Sequence, residues 1–266
     1  MGWEYLWIIL IVCAVLCAVG FYKFVYFLSL GYGLAIAGGA VTIAVLFWNS
    51  LTPAVMVALL LFVFYGFRLS GFLLVREMKN ALYRKTLAEA THEEKKMPFF
   101  VKACIWVSVS VLYVAQVSPV FFRLYNGAED SACLLVGIVI SCLGVVLETV
   151  ADQQKSAQKK ENPDMVATRG LYRLVRCPNY LGEIIFWTGV FVGSFTALEG
   201  AGQWVTAAVA YVCIVLIMFN GAQRLEKRQL GRYGSKEEYR KYADTTPILL
   251  PFLPLYHLVK EAKEVR

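Results

Sequence analysis

Seven long apolar runs constrain the fold of this chain more than any other feature of its sequence. A helix needs about 20 apolar residues to cross the hydrocarbon core of a membrane, and each run is close to that length. Hydrophobic residues make up 59% of the 266 positions, above the share in a water-soluble domain. The sequence therefore predicts an all-α integral membrane protein with seven transmembrane helices, at 5–22, 25–48, 53–75, 100–122, 131–150, 181–198 and 203–220.

Lysine and arginine lie on one side of these predicted spans. The predicted outer connections contain a single basic residue, Arg123. The inner ones contain six basic residues in 76–98, six in 151–180 and ten after position 221. Basic residues collect on the cytoplasmic side of membrane proteins. The pattern predicts an N-terminus outside and a cytoplasmic C-terminus.

The same distribution accounts for the net charge of +7, so the charge does not indicate a nucleic-acid-binding surface. The seven cysteines lie mostly inside apolar runs and form no CxxC pair, and only His92 and His257 are present. We therefore expect neither a metal site nor a nucleic-acid partner. The N-terminus lacks the basic region of a signal peptide, which predicts that the first run is a retained span.

Ionisable side chains inside apolar runs often mark functional sites, because each costs about 2.5–3.5 kcal/mol on insertion scales. On the third run, Tyr65, Arg68 and Arg76 are spaced to share one face of a helix. Arg76 could simply reach the lipid headgroups. Arg68 lies about two turns deeper, which favours a buried anionic partner.

A second polar group lies where the fifth run leaves the membrane. Glu148, Asp152, Lys155 and Lys159 recur on one helical face there. A solvated helix end explains Lys155, but it does not explain Glu148 inside the apolar run.

A third polar group lies at 168–183. Pro178 predicts the start of a helix on which Asn179, Glu183 and Trp187 share one face. Three arginines precede that start, where backbone N–H groups and the helix dipole favour an anion: Arg169, Arg173 and Arg176. These arginines could hold a phosphorylated cofactor, or they could simply follow the positive-inside rule.

A fourth polar group follows the last run. Arg224 and Arg228 share a helical face with Asn220, and Tyr239 and Tyr242 come before a proline-rich stretch. The prolines at 247, 251 and 254 predict a non-helical, apolar finish that lies back on the membrane surface.

The run from Arg169 to Glu183, Arg-Gly-Leu-Tyr-Arg-Leu-Val-Arg-Cys-Pro-Asn-Tyr-Leu-Gly-Glu, closely resembles the signature of the steroid 5-alpha-reductase superfamily and its bacterial membrane-reductase relatives. Tyr65, Arg68 and Arg76 resemble that family's third-span face. Asp152 and Lys159 resemble its fifth-helix exit, and the stretch from Tyr239 to Pro251 resembles its tail. Seven spans with the C-terminus inside is also that family's architecture.

The resemblance implies an NADPH-dependent reduction of a carbon–carbon double bond conjugated to a carbonyl, in a lipid-soluble substrate such as a 3-oxo-Δ4 steroid. Tyr65 would polarise the substrate carbonyl. The residues implied on the nicotinamide and ribose side are Asn179, Glu183 and Trp187. Those implied for the polar remainder of the cofactor are Arg68, Arg76, Asp152, Lys159 and Arg173. Further implied cofactor contacts are Arg176, Tyr180, Arg224 and Tyr239.

Two departures from the family's pattern bear on this assignment. Cys177 replaces the usual histidine before Pro178. The steroid reductases of eukaryotes also pair their tyrosine with a second-span glutamate, and nothing acidic occurs here from Lys23 to Ser70. Asn49 is the nearest polar candidate for that catalytic position. The missing acid affects the expected substrate more than the reductase class.

Two other interpretations remain open at this stage. Isoprenylcysteine carboxyl methyltransferases share part of the signature and bind S-adenosylmethionine. Their distal element is an Arg-x-x-Glu-Glu stretch, whereas this chain reads Arg224-Leu-Glu226-Lys227, with no Glu-Glu pair at that place. An inactive sterol- or lipid-binding membrane protein would bind neither cofactor.

We expect a single membrane domain over 1–266, with 1–122 on the substrate side and 131–266 on the cofactor side. The expected location is a bacterial cytoplasmic membrane or the endoplasmic reticulum. The sequence does not indicate the oligomeric state.

Overall fold

A computed structural model describes residues 3–79, 84 and 97–259. Within these residues the chain is all-helical, and most of the predicted inner connection at 76–98, with His92, lies outside them. The longer helices described are α1 Trp3–Cys17, α2 Leu30–Leu46, α3 Pro53–Lys79, α4 Phe99–Tyr125, α5 Ala132–Glu161, α6 Pro178–Ser194, α7 Gly200–Tyr233 and α8 Glu237–Thr245. Short 3₁₀ helices occupy Ala18–Phe21, Phe24–Leu28, Trp48–Ser50 and Gly170–Arg173.

Five described helical segments are long and apolar enough to cross a membrane: Glu4–Phe21, Pro53–Lys79, Phe99–Tyr125, Ala132–Glu161 and Gly200–Tyr233. They confirm an integral, multi-pass membrane protein. Helices α2 and α6 have 17 residues each, somewhat fewer than the about 20 that a span needs. The count of seven spans and the orientation of the termini therefore stay predictions.

Two helices continue well beyond the apolar runs that predicted them. Helix α5 ends at Glu161 instead of 150, and α7 ends at Tyr233 instead of 220. Charged and polar residues at helical spacing carry α5 onward until Pro163, and α7 onward until Gly234. The proposed cofactor residues of α5 therefore lie on continuous helix.

The described chain divides into two compact units. Unit 1 comprises Met1–Ile138 and Phe191–Ala210, and unit 2 comprises Val139–Val190 and Tyr211–Arg266. The boundary passes through α5, α6 and α7, because each of these helices contributes to both units. Residues 191–210, which the sequence assigned to the cofactor side, thus belong with α1–α4.

Helices α2 and α3 approach each other closely in unit 1. A Cβ atom added to Gly33 would lie 2.6 Å from the Gly66 carbonyl oxygen, and one on Gly66 would lie 2.9 Å from Ala37 Cβ. Glycine is therefore required on both helices for this backbone contact. At one end of the unit, the buried Arg123 donates to the carbonyl oxygens of Glu129 (2.6 Å) and Gly193 (3.0 Å), so this charge is satisfied by the protein itself.

Helices α5 and α6 make a similar contact in unit 2. A Cβ atom on Gly182 would lie 2.8 Å from both the Gly144 carbonyl oxygen and the Glu148 amide nitrogen. The segment after α8 then runs beside the loop that precedes α6. The amides of Arg176 and Cys177 donate to the carbonyls of Pro247 and Ile248, each over 2.9 Å. The proline-rich finish is non-helical, as the prolines predict.

Candidate active-site residues

Two tyrosine hydroxyls meet inside unit 1. The hydroxyl of Tyr65 on α3 donates to that of Tyr32 on α2 over 2.9 Å, and the side chains are 0% and 6% exposed. Their rings pack edge to face, with centroids 6.1 Å apart. Tyr65 was predicted from the sequence and Tyr32 was not, because the family's pattern has an acid, and not a second hydroxyl, as the second-span partner.

The local sequence explains why these hydroxyls meet. Each tyrosine immediately precedes one of the two contact glycines, as Tyr32-Gly33 and Tyr65-Gly66. The close approach of the glycine backbones brings the preceding residues to the same level of the two helices. A glycine after a tyrosine on each of two neighbouring runs is the signal that could have predicted the pair.

A third tyrosine supports the pair. The ring of Tyr113 on α4 lies 5.0 Å from the ring of Tyr32, centroid to centroid. Its hydroxyl donates to the Phe27 carbonyl oxygen over 2.6 Å, which fixes the ring in place. Tyr113 therefore positions Tyr32 while its own hydroxyl is used by the backbone.

Asn49 does not reach this group. It is exposed on the short helix Trp48–Ser50, before α3 begins at Pro53. Tyr65 lies 12 residues further along α3, or about 18 Å at the rise of an α-helix. The structure therefore does not bring Asn49 to Tyr65, and the polar side chain that it does bring there is Tyr32.

The two predicted arginines of α3 are half-buried. Arg68 lies within one turn of Tyr65, and the guanidinium carbon of Arg76 lies 5.5 Å from the ring centre of Phe72. The adjacent Glu77 accepts a hydrogen bond from the Tyr26 hydroxyl over 2.6 Å and forms an ion pair with Lys23. This acid ties the end of α3 to the turn before α2.

Three acidic side chains are buried along the α5–α6 contact of unit 2: Glu148, Asp152 and Glu183. The Gly144–Gly182 contact brings the backbone at Glu148 against the first turns of α6. On α6 the indole nitrogen of Trp187 donates to Glu183 Oε1 over 3.1 Å. Glu183 and Trp187, which were predicted to share one face of this helix, are thus hydrogen-bonded to each other.

Asn179 lies one turn before Glu183 at the start of α6. Its side chain is half-buried, and its Oδ1 atom is enclosed and accepts no hydrogen bond from the part of the chain that the structure describes. An enclosed amide oxygen needs a donor, because an unpaired polar atom costs free energy.

The extension of α5 supports the loop that enters α6. Gln158 Oε1 accepts from the amides of Thr168 and Arg169, both over 2.9 Å, and Gln154 Oε1 accepts from the amide of Leu171 over 2.8 Å. Gly170 has φ +67°, and a Cβ atom there would overlap the Gln154 side chain. Arg173, at the end of this loop helix, is exposed.

Lys159 is bound within unit 2. Its ammonium group donates to the carbonyl oxygens of Pro163 (3.1 Å) and Met165, and to the Tyr233 hydroxyl (2.8 Å). The lysine thereby closes the turn that follows α5. The ammonium group is thus engaged within unit 2, and a role of Lys159 in cofactor binding stays a prediction.

Arg176 is also bound internally. Its guanidinium forms an ion pair with Glu226 on α7 over 2.7 Å and donates to the Tyr256 carbonyl oxygen. Glu226 further accepts from the amides of Leu258 (2.7 Å) and Val259 (3.0 Å), and lies 3.0 Å from His257 Nδ1. Arg176 and Glu226 thus join the signature loop, α7 and the tail.

The remaining predicted residues lie in different environments. Tyr239 is buried against Met165 and Tyr233, and burial raises its pKa to about 12. Tyr180 packs half-buried beside Gly221, and Arg224 is exposed on α7. Of these three residues, Arg224 is the one that is exposed.

A family model described as "Protein of unknown function (DUF1295)" matches residues 15–246. The chain belongs to this family. The DUF1295 chain is also similar to steroid 5-alpha-reductase DET2 of Arabidopsis thaliana, with 31% identity over 121 residues. That alignment spans 45% of this chain and 41% of the length of DET2. The similarity confirms the resemblance to the steroid 5-alpha-reductase superfamily, and no solved structure matches the chain.

Proposed function

We propose that this protein is a membrane reductase that uses NADPH to saturate a carbon–carbon double bond conjugated to a carbonyl in a lipid-soluble substrate. A 3-oxo-Δ4 steroid or a related enone is the substrate class. The observation that carries the proposal is the Tyr32–Tyr65 hydroxyl pair buried among the apolar helices of unit 1. Similarity to a protein named steroid 5-alpha-reductase supports the reductase class and a steroid-like substrate.

The tyrosine pair acts on the carbonyl oxygen. A phenolic hydroxyl can both donate and accept a hydrogen bond, so the pair can turn a hydroxyl proton toward a bound substrate. The pair donates it to the substrate carbonyl and stabilises the negative charge that develops on that oxygen during reduction. Hydrogen bonds in a chain strengthen one another, so Tyr32 and Tyr65 together are a better donor than either alone.

Residues of unit 2 fit a nicotinamide dinucleotide. The enclosed Oδ1 of Asn179 needs a donor, and a carboxamide NH₂ is a donor of the right kind. The exposed Arg173 and Arg224 suit phosphate oxygens. When bound, NADPH supplies the hydride. We assign Asn179, Glu183 and Trp187 to the nicotinamide end, and Asp152, Arg173 and Arg224 to the polar remainder. For Arg68 and Arg76 of unit 1, a role in cofactor binding stays a prediction.

The methyltransferase interpretation has less support. Glu226, the acid in the corresponding distal stretch, is buried and accepts hydrogen bonds from Arg176 and from tail amides. Its oxygens are used inside the protein.

Thermal unfolding of the detergent-solubilised protein with NADPH, NADH or S-adenosylmethionine tests the cofactor. A ligand at 100 times its dissociation constant adds about 2.7 kcal/mol to the free energy of unfolding. We expect stabilisation by NADPH, together with consumption of NADPH on addition of androst-4-ene-3,17-dione and a product that has gained two hydrogen atoms. Stabilisation by S-adenosylmethionine alone would contradict the proposal, and binding of neither cofactor would support an inactive lipid-binding protein.

A further inference from the structure

Gln116 is a polar side chain in the interior of unit 1. It lies in the second half of α4 and is 1% exposed, and neither its amide nitrogen nor its amide oxygen has a hydrogen-bond partner among the described residues. A buried amide without partners costs free energy, because no water reaches it to replace the missing hydrogen bonds. Such a group needs a bound partner.

The backbone of α4 does not supply a role for Gln116. Pro119 has no N–H, so the helix cannot satisfy the Ala115 carbonyl in the usual way. The Ser118 hydroxyl already donates to that carbonyl over 2.8 Å. The break in the helix is thus satisfied without the glutamine.

Gln116 follows the tyrosine group along α4. Tyr113 and Gln116 are three residues apart, so they lie on neighbouring positions of one side of the helix, about 4.5 Å apart along its axis. The Tyr113 ring packs on Tyr32, which is hydrogen-bonded to Tyr65. The buried polar groups of unit 1 therefore continue from the tyrosine pair to Gln116.

We propose that Gln116 binds a second polar group of the substrate, a ketone or hydroxyl at the end remote from the enone. An amide both donates and accepts, so it suits either group. This inference rests on the proposed function and makes that function more specific. Gln116 would favour substrates with a polar group at each end over substrates with a polar group at one end.

The test compares androst-4-ene-3,17-dione with androst-4-en-3-one, which lacks the second ketone. Equilibrium binding of each to the protein in nanodiscs without cofactor, and the KM of each with saturating NADPH, are measured for the wild type and for Gln116→Leu. We expect the wild type to prefer the dione about threefold to tenfold, the range of one neutral hydrogen bond. Gln116→Leu should lose that preference while its affinity for the mono-ketone is kept.

The control is Ser118→Ala, which removes a neighbouring buried hydroxyl that the helix itself uses and should leave the preference unchanged. Because Gln116→Leu removes an unpaired amide, its Tm without ligand should equal or exceed that of the wild type. An unchanged preference, binding of neither ketone, or a lowered Tm would overturn the inference. Failure of the proposed function alone would look different, since NADPH would not bind while the preference between the two ketones persisted.

Discussion

The hydroxyl of Tyr65 donates a hydrogen bond to the hydroxyl of Tyr32, and each tyrosine immediately precedes a glycine at the contact between their helices. One backbone contact therefore both packs α2 against α3 and sets the geometry of the proposed donor. Packing and chemistry can be separated experimentally, because the hydroxyls and the glycines are different residues.

Removing either hydroxyl should slow reduction. Loss of one preorganised donor to a developing oxyanion costs about 10²- to 10³-fold in kcat. We expect a loss of that size for Tyr65→Phe and a smaller one for Tyr32→Phe, with little change in the KM for NADPH. Tyr113→Phe is the control, because the Tyr113 hydroxyl donates to the Phe27 carbonyl oxygen. This variant should lower the Tm and change kcat little. Unchanged kcat in both variants would remove the pair from the mechanism.

Enlarging a contact glycine should separate the two helices. In Gly66→Ala the new methyl group would overlap the Gly33 carbonyl oxygen, and overpacking of this kind typically costs about 1–3 kcal/mol. We expect a lowered Tm and lower activity. Gly71→Ala on the same helix is the matched control, because nothing lies within 4 Å of its new methyl group. Equal Tm values for the two variants would contradict the observed contact.

Breaking the buried ion pair of unit 2 should be costly. Removing one partner of a buried pair typically costs about 3–5 kcal/mol, and in Glu226→Gln the Arg176 guanidinium loses its anionic partner while the side-chain shape is kept. We expect a large drop in Tm. Glu161→Gln provides the comparison, because its pair with Arg169 is 61% and 59% exposed and should contribute little. Similar Tm values for the two variants would count against a structural role for the buried pair.

Alkaline pH should destabilise the protein in part through Cys177. Burial raises the pKa of this thiol from 9.0 to about 11. Below pH 9 the thiol is protonated whether the chain is folded or not. Between pH 9 and about 11 the unfolded chain releases this proton and the folded chain keeps it, so stability falls as the pH rises.

Thermal unfolding at pH 8, 10 and 11 measures this effect. In Cys177→Ala the decline in Tm should be shallower than in the wild type, although burial of Tyr172, Tyr239 and Tyr242 raises their pKa values and leaves part of the decline in place. Cys104→Ala, at an exposed position, should decline as the wild type does. Parallel curves for Cys177→Ala and the wild type would refute the contribution of this thiol.

The apolar runs predicted the helices well and their ends poorly. Hydrophobicity reports which residues face lipid or core, but a helix continues as long as local spacing and the absence of Gly or Pro allow. Helix α5 accordingly reaches Glu161, and α2 starts only at Leu30, because Phe24–Leu28 forms a separate short 3₁₀ helix.

The sequence predicted the role of a residue in the candidate site where that role depends on the residue's own chemistry. It did not predict the role where it depends on which other residue lies beside it in the fold. A buried tyrosine was evident from the sequence, but that Tyr32 lies beside Tyr65 depends on the register of two helices. Arg176 looks the same in the sequence whether it binds a phosphate or a protein carboxylate. Only the tertiary position of Glu226, 50 residues later, distinguishes these two roles.

The segment that pairs with the signature loop also bears on biogenesis. Residues 247–259 supply the carbonyls bound by Arg176 and Cys177 and the amides bound by Glu226, and they are synthesised after α1 to α7. A ribosome that has completed α7 has therefore made helices α1 to α7 but not the C-terminal segment that hydrogen-bonds to this loop. Assembly of the loop is then a late event, and a nascent chain stalled before residue 247 would be inserted in the membrane without it.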